Sequence, residues 1–248
     1  MIKFIDKPNL PSSDVNCVVC GELCRELNDY LDSRYVERVF IKPNNNIDPA
    51  VRYHADMAAI HLGNNRILID KNQAELSEVL LNKGFDVYFS DSDIKGEYPF
   101  DIPLNFILLK NKIIGKTACA DKNLINLTDE FIKINVRLGY SKCSCLIVNE
   151  NAVITDDESI FKALKAVGGD ALLISKGDIL LNGHDYGFIG GASCKLSEKE
   201  ILFFGDITKH NDYKKIAIFI EKHGCKISYL DFPLTDFGGI IPITEKAP

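Results

Sequence analysis

Four residues in this chain of 248 have the types and surroundings to do chemistry. They are His54 and Asp56 in Tyr53-His54-Ala55-Asp56-Met57, Cys143 in Lys142-Cys143-Ser144, and Asp236 in Asp236-Phe237-Gly238-Gly239. A thiol is nucleophilic enough to attack an electrophilic carbon, an imidazole beside it moves the proton, and a carboxylate offers a planar fork of acceptors. Side chains alternate across a strand, so on an extended backbone His54 and Asp56 share one face. By the same rule Cys143 and Cys145 share a face, and Lys142 and Ser144 take the other. If His54 and Cys143 point to a common centre, imidazole and thiol meet. Lys142 would lower the thiol pKa through its charge, although its position aims it away from the Cys143 side chain. The plainer alternatives are a small buried hydrophobe for Cys143, and a cap or a satisfied core hydrogen bond for His54 and Asp56.

The elements that must position these groups recur. An apolar strand, a polar turn, a second strand, an amphipathic helix stopped by glycine and a closing strand follow one another from His54 to Phe89, with the turn at Asn64-Asn65, a helix near Gln73 to Lys83, and Gly84. The order repeats from Cys143 to Ile174, with a turn at Asn149-Glu150-Asn151 and a helix from about Ser159 to Val167. A more divergent copy has strands at Asn105 to Leu109 and Lys112 to Gly115, then a helix carrying Leu124, Leu127, Phe131 and Ile134 at helical spacing. Another opens at Gly187-Phe188-Ile189-Gly190-Gly191, continues through Ile201 to Gly205, and has a helix from about Asp212 to Lys222 before a strand at Lys226 to Leu230. The last is split: Gly238 to Thr244 supplies its first strand, and the segment from Val15 to Ile41 supplies the rest. A period of roughly 35 to 50 residues points to units that bury their apolar faces only against one another. Joining the chain ends in one unit would close a ring and leave no free sheet edge.

Composition sets outer limits. With 46% hydrophobic residues and no linker-like stretch, the chain is expected to form one domain over residues 1–248. A net charge of −6 and the lack of a basic stripe argue against a nucleic-acid partner. No apolar run approaches the ~20 residues of a membrane span, and the segment Met1 to Asp6 lacks a signal-peptide core, so a cytoplasmic protein without a membrane partner is expected. The eight cysteines then read as reduced thiols.

Three further patterns are weaker. Cys17-x-x-Cys20-x-x-x-Cys24 lacks a fourth ligand at a usual spacing, and Cys20 and Cys24 fit one helical face, so buried thiols are the expectation. His61 lies an odd number of residues from His54 and would face away on a continuous strand, so His54, Asp56 and His61 are not expected to hold a metal. Gly187-x-x-Gly190-Gly191 is followed by no helix and no phosphate-loop lysine, and reads as close backbone packing near an axis. No cofactor is expected.

Five ββαβ units about a pseudo-fivefold axis resemble the pentein fold of the guanidino-group modifying enzymes: arginine and agmatine deiminases, dimethylarginine hydrolases and amidinotransferases. The strings closest to a bacterial branch of that fold are Tyr53 to Met57, Gly139-Tyr140-Ser141-Lys142-Cys143-Ser144, Gly187 to Ser193 and Asp236 to Gly239, and the resemblance runs from about Val15 to Glu245. It implies a five-bladed α/β propeller with a central pocket for a small molecule. In those enzymes two carboxylates grip a guanidinium, a cysteine attacks its carbon and a histidine moves the proton. Their cysteine closes a segment Gly-Gly-Gly-Asn-Ile-His-Cys in the last unit. The matching stretch here is Gly238 to Thr244, with Pro242 where the thiol would stand. Their histidine opens the third unit, where this chain has Lys142-Cys143-Ser144.

The resemblance therefore implies a rebuilt site: Cys143 as nucleophile, His54 as acid and base, and Asp56 with Asp236 as the cation grip. Asn105, Lys142, Ser144, Gly190, Gly191 and Ser193 are the further ligand-facing candidates, with Asp101 beside Asn105. The implied activity is a guanidino- or amidine-modifying hydrolase or transferase of altered mechanism. A non-catalytic binder, in which Lys142 meets a carboxylate and Asp56 an ammonium or guanidinium, and an interaction module using the propeller rim are the alternatives.

Overall fold

In the computed structural model, which describes residues 2–247, the repeat becomes five small sheets. The N-terminal segment contributes β1 (Ile2–Phe4), β2 (Val15–Cys20), α1 (Arg25–Ser33) and β3 (Glu37–Phe40). The first complete unit holds α2 (Ala55–Ala58), β4 (Ala59–Gly63), β5 (Arg66–Ile69), α3 (Ala74–Asn82) and β6 (Asp86–Phe89). The second holds β7 (Ile107–Leu109), β8 (Lys112–Gly115), α4 (Lys122–Leu127) and β9 (Ile132–Asn135), and the third β10 (Cys145–Asn149), β11 (Ala152–Thr155), α5 (Glu158–Ala166) and β12 (Asp170–Leu173). The fourth holds β13 (Ser193–Ser197), β14 (Glu200–Phe203), α6 (Tyr213–Lys222) and β15 (Lys226–Tyr229). The C-terminal strand β16 (Ile241–Lys246) pairs with both β1 and β2, so the fifth sheet is ordered β1-β16-β2-β3.

Each unit has one antiparallel and one parallel pairing, as β4–β5 and β5–β6 illustrate. A hairpin turn suffices for the first, whereas a parallel partner needs a crossover, which the helix supplies. Side-chain caps start two of these helices: Asp121 Oδ1 accepts from the amides of Asn123 and Leu124, and Asp157 Oδ1 from those of Ser159 and Ile160. One helix is shorter than its spacing predicts. It ends at Leu127, Thr128 Oγ1 bonds back to the Leu124 carbonyl, and Ile132–Asn135 is instead the strand that pairs with β8. The closing strand of the unit overrides the helical period.

The apolar side chains show why the units depend on one another. Leu68 and Leu108 share a cluster between the first and second units, Ile114 and Val153 between the second and third, and Ile154 and Phe203 between the third and fourth. Phe204 and Val18 join the fourth to the fifth, and Val19 and Ile67 join the fifth to the first. Five clusters thus link the sheets in a closed cycle, and each unit buries one side against each neighbour. The segments leading into the first strands meet one another: the Asp56 amide donates to the Gly238 carbonyl, the Asn105 side chain to the Asp56 carbonyl, the Gly190 amide to the Cys143 carbonyl and the Gly239 amide to the Gly191 carbonyl.

Candidate active site

The chain enters the site through turns, not strands. His54 to Met57, expected as strand, is a residue in extended conformation followed by the helical turn α2, and β4 begins only at Ala59. The correction has a tertiary cause: the Asp56 amide donates to the Gly238 carbonyl of the fifth unit at 3.1 Å, and the Met57 amide bonds back to His54. The shared strand face assigned to His54 and Asp56 therefore does not exist. Cys143 likewise lies in a turn over Ser141–Ser144, with β10 starting at Cys145, so its alternation with Lys142 and Ser144 is also replaced.

The turns nonetheless bring the chemistry together. Donor atoms of His54, Asp56 and Cys143 lie within 4.8 Å of one another, and all three side chains are buried. His54 Nδ1 is 3.9 Å from Asp236 Oδ1. Among the described residues His54 Nδ1 and both carboxylate oxygens of Asp56 have no hydrogen-bond partner. Buried polar atoms are normally paired, so this concentration marks a place built for something other than packing.

Asn105 holds the site in register. It is fully buried at the start of the second unit, and its Oδ1 accepts from the amides of Lys142 at 2.8 Å and Cys143 at 3.3 Å. Its Nδ2 donates to the Asp56 carbonyl and to Cys143 Sγ, both at 3.0 Å. With its side-chain amide bonded to the first and third units, Asn105 joins three units and positions the thiol. The Gly190 and Gly191 amides both donate to the Cys143 carbonyl, tying the fourth unit to the same turn.

Asp236 is anchored in turn by the backbone. Its Oδ2 accepts from Phe188 N at 2.9 Å and its Oδ1 from Gly238 N at 2.8 Å. Gly191 packs against this carboxylate so closely that a Cβ would lie 1.9 Å from Oδ1. Gly238 has φ +77°, and a Cβ there would lie 2.2 Å from His54 Cα. Gly238→Ala combines left-handed backbone strain with overpacking and should destabilise the protein by about 3 kcal/mol. A denaturant midpoint unchanged from wild type would refute that placement.

The remaining candidates separate. Lys142, Gly190 and Ser193 border a narrow crevice with Pro242 that neither His54 nor Cys143 lines. Ser193 Oγ donates to the Ile189 carbonyl at 2.6 Å, and Ser144 is buried with its Oγ unpartnered among the described residues. Asp101 meets the Tyr140 hydroxyl. His61 bonds the Asn64 carbonyl, so the third donor beside His54 and Asp56 is Cys143. Cys17 and Cys20 are buried on β2, and burial pushes both thiols up to about 12, while Cys24 precedes α1; the shared helical face for Cys20 and Cys24 is not formed.

His54, Cys143 and Asp236 line a cavity of about 220 Å³ together with Tyr140, Tyr186 and Phe188. Tyr140 and Phe188 stack at 6.2 Å, and a His184–Asp48 pair at 3.0 Å sits at the exposed end. Sequence reasoning missed the aromatic wall because it comes from loops, which carry no period. A larger groove of about 460 Å³ lies at the rim, but its Lys3, Lys7 and His223 are already paired with Glu245, Glu150 and Asp170. The unpartnered groups favour the smaller cavity.

Electrostatics keep the thiol protonated. Burial pushes Cys143 well above the usual thiol range, and the carboxylates of Asp56 and Asp236 push it further. Burial also raises the Asp56 carboxyl to about 6, against the opposing charges of His54 and Lys142.

Five ββαβ units closed around a polar axis define a pentein-type α/β propeller. The structure is similar to an inosamine-phosphate amidinotransferase from Streptomyces griseus, with TM-score 0.62 at 10% identity over 96% of each chain. It is similar to the agmatine deiminase of C. jejuni with substrate bound, with TM-score 0.57 at 13% identity over 98% of this chain and 96% of that one. An amidinotransferase of saxitoxin biosynthesis from Microseira wollei gives TM-score 0.55 at 12% identity over 97% and 98%. At such identities the likeness establishes the fold. No curated protein matches the sequence. The chain belongs to the family described as "Family of unknown function (DUF6873)", whose model matches residues 18–241. No helix among the described residues is long and apolar enough to cross a membrane.

Proposed function

We propose that this protein modifies a small guanidino or amidine compound through a covalent thiol intermediate at Cys143. The observation that carries the reading is the convergence of His54, Asp56 and Cys143 within 4.8 Å beside a cavity, with polar atoms left unpartnered among the described residues. The thiol of this pocket comes from the third unit, whereas Pro242 lies within β16 opposite Val18.

The roles follow from position. Asp236, fixed by two backbone amides on the cavity wall, is the anchor for the substrate cation. Asp56 lies behind the thiol and accepts its proton once the cation has neutralised the surrounding negative charge. The Cys143 sulfur attacks the central carbon, Asn105 Nδ2 donates to the thiolate, and the C–S bond forms. His54 protonates the departing amine as the C–N bond breaks. Water, or an acceptor amine, then attacks the thiouronium carbon and gives a proton to His54, which restores the acid; the C–S bond breaks, the departing sulfur takes back the proton held by Asp56, and the product sheds its remaining proton to solvent.

Two electrophiles of the same shape test this. Chloroacetamidine carries a cation and chloroacetamide does not. The cation should speed alkylation of Cys143 by about tenfold or more, because it offsets the carboxylates that hold the thiol protonated. Mass spectrometry of the digested protein reads the modified residue. Equal rates for the two reagents, or labelling elsewhere in the chain, would overturn the proposal.

A further inference from the structure

His54, Asp56 and Cys143 also form a donor set that no substrate is needed to explain. We infer that they constitute a regulatory site for a zinc-class divalent metal ion, which occupies the pocket and switches the thiol off. The inference concerns regulation of the site proposed above and rests on that reading only for its consequence, not for the metal binding itself.

The geometry comes first. One sulfur, one imidazole nitrogen and one carboxylate oxygen lie within 4.8 Å of one another. Donors around a tetrahedral zinc ion stand roughly 3 to 4 Å apart, given bond lengths of about 2.0 to 2.3 Å, so rotamer shifts of about 1 Å suffice. All three residues are at least nine-tenths buried. His54 Nδ1 and both Asp56 oxygens have no partner to give up among the described residues. Their desolvation is already met by the fold, and a cation would recover interactions that the protein leaves unmade.

The donor types then select the metal. Calcium and magnesium take oxygen ligands, and magnesium keeps its waters, so a thiolate and an imidazole in a buried site disfavour both. A mixed sulfur, nitrogen and oxygen set suits zinc and its neighbours. Charge also balances: the ion displaces the thiol proton, and a thiolate and a carboxylate neutralise its two positive charges. His54 and Cys143 also line the cavity bounded by Tyr140 and Phe188, from which a fourth ligand would enter. Asn105 fixes Cys143 Sγ through a 3.0 Å contact, while His61 is engaged by the Asn64 carbonyl and stands outside the set.

The test uses the full chain, freed of metal with a chelator and titrated with Co2+ alone. The expected result is saturation near one equivalent, with tetrahedral visible bands and a near-ultraviolet sulfur-to-cobalt charge-transfer band. Zn2+ should displace the cobalt and slow chloroacetamidine labelling of Cys143 by at least about tenfold, reversed by chelator. Cys143→Ser should abolish the charge-transfer band, and His54→Ala should weaken binding. A missing charge-transfer band in wild-type protein, or its persistence in Cys143→Ser, overturns the metal site. If the band is absent while chloroacetamidine still outpaces chloroacetamide, the metal inference fails and the covalent chemistry stands. If the band appears while the two electrophiles react alike, the metal site stands and the covalent chemistry fails.

Discussion

Asp56→Asn, measured in metal-free protein at about pH 8, is expected to be more stable than wild type by about 2 to 3 kcal/mol. The carboxyl is raised from 3.8 to about 6, with burial the largest cause. Between those values the folded state binds more protons than the unfolded chain, so wild-type stability falls as pH rises through the window and stays reduced above it. Asn has nearly the same shape and never ionises. The difference should therefore vanish near pH 4, below which both states of wild type are protonated. Asp156 is raised to about 6 as well, also first by burial, so the wild-type pH profile alone does not isolate Asp56. Denaturant melts of both proteins across pH do. A variant less stable than wild type at about pH 8 would show that the carboxylate is paired by the fold and is not a group stored for function.

The same substitution should remove turnover. If Asp56 accepts the thiol proton, the wild-type rate rises with pH through about 6, and Asp56→Asn loses that limb together with about 10²- to 10⁴-fold in rate. Stability gained and activity lost at one residue is the signature of a group kept ionised at a cost.

Asn105→Leu is expected to act in the opposite direction. Leucine matches the shape of asparagine and makes none of its bonds, so the Asp56 carbonyl and the Lys142 and Cys143 amides lose their side-chain partner inside the protein. Each buried group left unpaired costs about 1 to 3 kcal/mol, which gives a loss of about 3 kcal/mol or more. For a chain of this length that corresponds to a fall of roughly 6 to 12 °C in Tm. Asn105→Asp separates the contributions, since it keeps the acceptor for both amides and removes the donor to Cys143 Sγ. A melting temperature for Asn105→Leu within about 2 °C of wild type would mean that the three units are held at the axis by other contacts.

The repeat was legible in the residues because it is local. Period-two alternation, polar turns such as Asn64-Asn65 and amphipathic helices all report on near neighbours, and they identify ββαβ units from the chain alone. The dependence of those units on one another, and the split unit made from both ends, follow from apolar faces that one unit cannot cover. His54, Asp56, Cys143 and Asp236 were recognisable as polar residues opening apolar segments or standing beside glycines. The helical turn at Ala55–Ala58 was not, because the bond that bends it comes from Gly238 in another unit. Nor was the length of α4, where pairing of β9 with β8 prevails over helical spacing.

The residues themselves thus determined the repeating architecture and the kinds of groups available for chemistry. Only the tertiary structure decided which of them meet: it set Lys142 on the crevice beside Pro242, engaged Asn105 in holding three units, anchored Asp236 on backbone amides and left the Asp56 carboxylate without a hydrogen-bond partner among the described residues. The physical reason is that an extended backbone obeys the alternation rule, whereas turns at an axis obey hydrogen bonds supplied by distant parts of the chain.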